Sequence, residues 1–126
     1  MHYTQEPSKI EAHDEAEVLR LRGGGFVTDA MVVEAFREMR DRPARANLLI
    51  DIRDVAGWDS RAVARAARLL HRAPELGVQR IAFLATSAAV DLATRVASTQ
   101  TGVPLRTFDH EHSARTWLGI PNAGVR

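Results

Sequence analysis

The stretch LLIDIRDVAGWDSRAVARAARLL, which runs from Leu48 to Leu70, decides the fold. Together with Ala46 and Asn47, which precede it, the stretch begins with ANLLIDI, a continuous apolar run of strand length. Such a run is typical of a strand that is covered on both faces in a parallel or mixed sheet. A short loop containing Trp58 is expected after Ile52. Apolar residues then recur at helical spacing, which predicts an amphipathic helix from about Ser60 to His71.

The segments before this stretch predict a hairpin and a helix. Apolar residues alternate in KIEAHD and again in EVLRLRG, the pattern of two short strands, and we expect the hairpin to end at the glycines Gly23 to Gly25. Thr28 or Asp29 can cap the helix that follows, because either side chain can accept a hydrogen bond from a first-turn N–H group. Pro43 ends that helix.

The segments after the stretch continue the alternation of strands and helices. RIAFLAT predicts a second buried strand, and Ser87 caps a helix that runs to about Gln100. PLRTF is a further short strand, and the last helix extends from about Glu111 to Leu118. The right-handed crossover rule packs this order into an α/β fold, a parallel-dominated mixed sheet of about four to five strands with about four helices. We expect a single domain over residues 1–126, with an ordered core of about 8–118.

Composition excludes several classes of function. Seventeen basic residues against sixteen acidic ones leave a formal charge of +1, which is too balanced for a protein that binds nucleic acid by neutralising many phosphates. The absence of cysteine removes disulfides, thiol catalysis and thiolate metal sites. The N-terminus is polar, and no apolar run approaches the roughly 20 residues that span a bilayer. We therefore expect a cytoplasmic protein with no membrane span.

No motif predicts catalysis, a metal or a cofactor. The glycines Gly23 to Gly25 precede a helix but lack the rest of a dinucleotide fingerprint and the lysine of a P-loop. The histidines of His110 to His112 are only two apart, whereas metal-binding pairs on helices are three or four apart. Ser60, His71 and Asp51 have the chemistry of a hydrolytic triad, but His71 lies roughly 16 Å along the helix from Ser60. We expect no catalytic residue, no metal and no cofactor.

The junction of strand and helix at Asp59 and Ser60 admits two interpretations. Either residue can cap the helix, with a stabilisation of about 1 kcal/mol. Alternatively, a phosphate on Ser60 would add about −1.5 to −2 charges at a helix N-terminus, where the helix dipole tolerates an anion. The neighbouring Trp58 can likewise pack over the core or stand out as an anchor for a partner.

The same stretch resembles the central segment of STAS domains, the family of bacterial anti-sigma-factor antagonists also described as SpoIIAA-like. In that family a buried strand ends in an acidic or amide residue, and the serine of an Asp-Ser pair opens a helix nine positions later. Asp51, Val55, Asp59 and Ser60 fall in those places. The resemblance covers about residues 8–118. GGGFVT, the Gly57 and Trp58 pair and the RTWL ending look like the branch grouped with STAS and Sec14 (CRAL-TRIO) lipid-binding folds.

The resemblance implies first a non-catalytic regulatory domain that binds another protein. The partner-binding residues would be Gly57, Trp58, Asp59, Ser60 and Arg61, and the partner would be acidic or apolar. In the antagonists the serine is phosphorylated by an anti-sigma kinase, so a kinase-like regulator is the implied partner and Ser60 the implied phosphorylation site. The antagonists have a small residue and a glycine after the serine, where this chain has Arg61 and Ala62.

The Sec14-like resemblance implies a second hypothesis, a carrier or sensor of a small apolar ligand or lipid. Such a ligand would lie between the helices and the sheet near Phe26, Phe36, Trp58 and Trp117. An apolar helix face left uncovered in so small a domain would also favour a homodimer.

Overall fold

The computed structural model describes residues 9–15, 17–42, 46–86 and 102–120, which form a five-stranded sheet with helices on both faces. The strands are β1 (Lys9–Asp14), β2 (Val18–Val27), β3 (Asn47–Trp58), β4 (Arg80–Leu84) and β5 (Leu105–Phe108). The helices are α1 (Asp29–Arg40), α2 (Ser60–Leu70), a short 3-10 helix (Ala73–Leu76) and α3 (Glu111–Leu118). The predicted helix from Ser87 to Gln100 lies outside the described residues.

The strand order along the sheet is β1-β2-β3-β4-β5. β1 is antiparallel to β2, and every other neighbouring pair is parallel. The predicted hairpin and the predicted parallel-dominated mixed sheet are both confirmed. The helix α1 connects β2 to β3 and α2 connects β3 to β4, as in the parallel strand-helix-strand units that the right-handed crossover rule describes.

Two hydrophobic cores lie on opposite faces of the sheet. The larger core contains Leu48, Ile81 and Phe83 from the strands and the inner faces of α1 and α2. The smaller core contains Leu49 and Leu84 from the same strands, packed against α3. Leu48 and Leu49 are both 0 % exposed, which confirms that β3 is covered on both faces.

The glycines Gly23 to Gly25 do not end the hairpin, so that expectation was wrong. β2 continues through them to Val27 and keeps its pairing with β3, with register shifts between Arg22 and Gly24 and again between Gly25 and Phe26. Gly25 has a φ of 71°, a left-handed conformation that costs glycine little. Glycine here marks irregularities inside a strand rather than a turn.

The loop that the sequence predicted after Ile52 is also absent. β3 continues for six more residues to Trp58, because the far end of β2 remains beside it as a pairing partner. Val27 pairs in register with Trp58, and the helix α2 begins two residues later at Ser60. Among the described helices, none is long and apolar enough to cross a membrane.

Candidate functional site

The site predicted around Ser60 lies where β3 passes directly into α2. The Asp59 N–H group donates to the carbonyl oxygen of Val27 at 3.1 Å, which extends the β2 and β3 pairing to the first residue beyond the strand. The Asp59 side chain then accepts a hydrogen bond from the Ala62 N–H group at 2.7 Å. Asp59 is therefore the helix cap, and of the two residues that could cap α2 the structure selects this one.

Ser60 occupies the first position of α2 and is exposed, as is Arg61 beside it. Within the described part of the chain, no hydrogen bond involves the Ser60 hydroxyl group. Because Asp59 supplies the cap, a change at the Ser60 hydroxyl leaves the helix start intact. The geometry thus assigns the role of helix cap to Asp59 and leaves Ser60 as an exposed hydroxyl group.

Phe26 and Gly57 form an apolar surface next to this helix start. The two residues pair in register across β2 and β3, and Phe26, at 48 %, is the one exposed large apolar side chain in the part of the chain that the structure describes. A Cβ atom placed on Gly57 would lie 3.1 Å from Cδ1 of Phe26, so the phenyl ring lies directly on the glycine. Trp58, by contrast, is partly buried and packs against the larger core.

The four aromatic residues predicted to surround an apolar ligand are not brought together. Phe36 on α1 and Trp58 both pack against the larger core. Trp117 lies on the opposite face of the sheet, where its ring centroid is 5.7 Å from that of Phe108. Phe26 belongs to neither core and is exposed. The four rings therefore do not surround one pocket, because the sheet separates Trp117 from Phe36 and Trp58.

An apolar cavity of about 100 Å³ lies between the sheet and the helices α1 and α2. Phe36 is the one member of the predicted aromatic set that lines it, together with aliphatic side chains such as Val32, Ile52 and Leu69. Every residue that lines the cavity is apolar. Sites that enclose a drug-sized ligand are usually about 300–1,000 Å³, so this cavity is small for a lipid.

The structure also brings together a cluster of charges that the sequence did not predict, centred on Asp51. Asp51 is a buried residue of β3 that accepts hydrogen bonds from Arg20 of β2 at 2.8 Å and from the Arg53 side chain at 2.8 and 3.0 Å. Burial alone would raise the pKa of Asp51. The hydrogen bonds from Arg53 and Arg20 outweigh burial and hold that pKa below its ordinary value.

The charge cluster continues into α3 on the face of the smaller core. Glu111 at the start of α3 lies 3.0 Å from Arg20 and 3.5 Å from Arg53. Arg115, one turn further along, is buried and contacts both Glu111 and, at 2.6 Å, Glu15 in the turn between β1 and β2. This network ties α3 to β2, to β3 and to the turn between β1 and β2. The sequence signal for it was charged residues at alternate positions of otherwise apolar strands.

No potential metal-binding group of three or more His, Cys, Asp or Glu side chains occurs in the described ranges. His110 begins α3 and is exposed, as is His112. What the junction offers chemically is therefore an exposed hydroxyl group at a helix start beside an exposed aromatic ring.

The fold and this junction define a STAS-type α/β domain, and the chain belongs to the SpoIIAA-like family, which matches residues 18–119. The sequence has no significant match among curated proteins.

Solved structures share the fold. An uncharacterized protein of the DUF3478 family with a SpoIIAA-like fold, from Shewanella loihica PV-4, is 20 % identical with a TM-score of 0.71, over 93 % of this chain and 99 % of that one. An anti-sigma factor antagonist from Mycobacterium paratuberculosis is 13 % identical with a TM-score of 0.64, over 92 % and 99 % of the two chains. The anti-sigma factor antagonist SpoIIAA in its unphosphorylated form is 12 % identical with a TM-score of 0.62, again over 92 % and 99 %.

Proposed function

We propose that this chain is a non-catalytic regulatory domain that binds another protein through a surface made of Phe26 and residues 57–61. The observation that carries the proposal is the exposure of Phe26, at 48 %, beside an exposed Ser60 that does not cap its helix. Aromatic side chains that are exposed in the free protein and buried on binding dominate many interfaces. We call this set, Phe26 with Gly57 to Arg61, the docking surface.

Gly57 supports this role because it has no side chain to lift Phe26 away from the sheet. The ring lies on the glycine, and 48 % of Phe26 is exposed to solvent. A partner with an apolar patch would bury that exposed surface, which favours binding through the hydrophobic effect. Trp58 is partly buried and packs against the larger core, so its contribution to the docking surface is to hold the end of β3 in place.

A phosphate on Ser60 would act as a switch for this surface. It would add about −1.5 to −2 charges at the edge of an apolar contact, where a buried charge without a partner is costly. The helix would survive the modification, because the cap hydrogen bond belongs to Asp59. Two proteins that share the fold are anti-sigma factor antagonists, and one of them is described in its unphosphorylated form.

The test compares partners captured from the native cells by the wild-type protein and by three variants, with quantitative mass spectrometry as the readout. We expect Ser60→Ala to retain the wild-type partners, and Ser60→Asp and Phe26→Asp to lose the same proteins. The intact mass of the protein isolated from those cells, before and after phosphatase treatment, shows whether Ser60 is modified. Partners retained equally by Phe26→Asp and Ser60→Asp would overturn the docking surface.

The apolar cavity supports a second candidate function, the binding of a small apolar molecule. A cavity with wholly apolar walls stays dry and can accept a compact hydrocarbon. Ala66, which lines the cavity from α2, offers the test, because Ala66→Leu would fill part of the space. We expect an organic extract of the purified wild type to contain an apolar molecule that the Ala66→Leu extract lacks; clean extracts from both would remove this candidate.

A further inference from the structure

A second surface, separate from the docking surface, is a groove of about 190 Å³ between α1 and α2. Its floor is apolar and includes Phe36 and Leu69. Its walls carry the arginines Arg37 and Arg40 from α1 and Arg65 and Arg72 from the other side. The groove contains no residue of the docking surface, so it can be tested independently.

The charge of this groove is unbalanced. Four arginines line it against a single acidic residue, Glu75. Along α2 the residues Arg61, Arg65 and Arg68 recur at spacings of four and three, which places them on one stripe of the helix, and Arg72 follows in the turn after α2. Asp29, Glu34 and Asp41, which pair with Arg65, Arg37 and Arg40, are not among the lining residues, so the walls of the groove themselves are mostly positive.

Three of the four arginines have exposed local partners that a ligand can replace, whereas Arg65 is held by Asp29 through two hydrogen bonds of 2.9 and 3.2 Å. Arg37 lies 3.1 Å from Glu34 and Arg72 lies 3.3 Å from Glu75, but both side chains of each pair are more than half exposed. Arg40 is 3.9 Å from Asp41, the edge of an ion pair. Exposed pairs of this kind contribute little to stability, so exchanging such a partner for a carboxylate of a bound molecule costs little.

The shape of the groove selects among acidic occupants. Arg65 and Arg72 are seven residues apart, roughly 10 Å along the helix axis, about the length of two turns of a helix. The space is smaller than the roughly 300–1,000 Å³ of a site that encloses a small molecule, but it has room for an apolar side chain or two. A concave site also suits a protruding peptide better than a flat lipid surface.

We infer that the groove between α1 and α2 binds an acidic peptide segment of a partner protein, with an apolar side chain on Phe36 and Leu69 and carboxylates on Arg37, Arg40 and Arg72. Arginine suits this role because its planar guanidinium group binds a carboxylate through two parallel hydrogen bonds. Recognition of acidic segments by arginine clusters is a known mode of peptide binding.

The experiment is a selection of peptides of about 12 residues, roughly three helical turns, from a random phage-displayed library on the purified wild-type chain. Binding of the selected peptides is then measured by fluorescence anisotropy. The test variant is Arg40→Glu with Arg72→Glu, and the matched control is Arg80→Glu with Arg106→Glu, which makes the same change in net charge near Trp117 on the opposite face. Phe26→Asp serves as the control for the docking surface, and circular dichroism checks that each variant is folded.

We expect the selected peptides to be rich in Asp and Glu around a large apolar residue. Their affinity should fall about tenfold or more in the Arg40→Glu and Arg72→Glu variant, weaken with added salt, and remain near wild type in both controls. A copy of the best peptide with Lys in place of its acidic residues should bind the reversed variant and not the wild type.

Four results would overturn the inference. Selected peptides that are not acidic, or that bind the wild type and the groove variant equally, would show that the groove does not recognise acidic segments. Loss of peptide binding in Phe26→Asp alone would show that the peptide binds to the docking surface and not to the groove. Sedimentation with phosphatidylserine vesicles that depends on Arg40 and Arg72, without any acidic peptide selected, would assign the groove to a membrane surface instead.

Discussion

Arg20 and Asp51, 31 residues apart in the chain, are joined by a hydrogen bond of 2.8 Å in which both side chains are largely shielded from water, at 15 % and 3 % exposure. The bond crosses from β2 to β3 beneath α3. Asp51 is also the acidic residue at the end of the buried run LLID, the position that the SpoIIAA-like pattern shares. A carboxylate at this place therefore organises the second face of the sheet, where Glu111 meets the same arginine.

Replacing Asp51 by Asn should lower the free energy of unfolding by about 3 kcal/mol, because it leaves Arg20 and Arg53 without their buried partner. Asp54→Asn is the matched control, since Asp54 pairs with Arg22 in an ion pair that is about half exposed. That control should change stability little. Urea unfolding of both variants measures the difference, and equal losses would show that the charge cluster is no more than a set of surface pairs.

The stability of the protein should fall in acid in a way that depends on Asp51. Its folded-state pKa lies below the ordinary 3.8, because hydrogen bonds from Arg53 and Arg20 to the ionised form outweigh burial, which alone would raise it. A lowered folded pKa means that the ionised group contributes stability above its unfolded pKa and loses that contribution as pH falls through the folded value.

The gap in unfolding free energy between wild type and Asp51→Asn should therefore be constant from about pH 7 to pH 5 and narrow towards pH 3. Urea titrations at these pH values supply the measurement. Asp54→Asn again serves as the control, and a gap that stays unchanged down to pH 3 would contradict the assignment of the lowered pKa to Asp51.

Asp59 and Ser60 should respond differently to alanine. Asp59→Ala removes the side chain that accepts the Ala62 N–H hydrogen bond and should cost about 1 kcal/mol. Ser60→Ala removes an exposed hydroxyl group that caps nothing, and its thermal unfolding should match the wild type within a degree or two. Equal destabilisation by the two substitutions would mean that Ser60 shares the cap.

Gly57→Ala should destabilise the wild type but not a Phe26→Ala background. In the wild type the new Cβ atom would lie 3.1 Å from the Phe26 ring, which must shift to make room. Without the ring that conflict disappears, so the two substitutions should be coupled by about 1 kcal/mol in a double-mutant cycle. Urea unfolding of the four proteins gives the coupling, and additive effects would show that the ring does not rest on Gly57.

The sequence predicted the order of the described elements well because each has a local signal. Apolar runs identify β3 and β4, and helical spacing identifies α1, α2 and α3. Two strand boundaries were predicted wrongly, at Gly23 to Gly25 and after Ile52, because the glycines and polar residues there resembled turns. Both segments remain strands because each is the pairing partner of the other, a relationship between residues about 30 positions apart that no local window contains.

The candidate site was also predictable from the sequence only in part. The Asp-Ser pair at a helix start was recognisable from composition and spacing alone, and so was the resemblance to STAS domains that the family match confirms. The choice of Asp59 rather than Ser60 as the cap depended on backbone geometry. The separation of Trp117 from Phe36 and Trp58 depended on which face of the sheet each helix covers.

The sequence by itself determined the class of fold, because hydrophobic periodicity and strand-helix alternation leave few ways to bury this much apolar surface. It also placed the Asp-Ser pair at a helix start. Only the tertiary structure decided that Asp59 is the cap, that Phe26 lies on Gly57, that Asp51 pairs with Arg20 and Arg53, and that four arginines from α1, α2 and the turn after α2 line one groove. These contacts join residues distant in the chain, and their partners are selected by sheet register and helix packing rather than by neighbours in sequence.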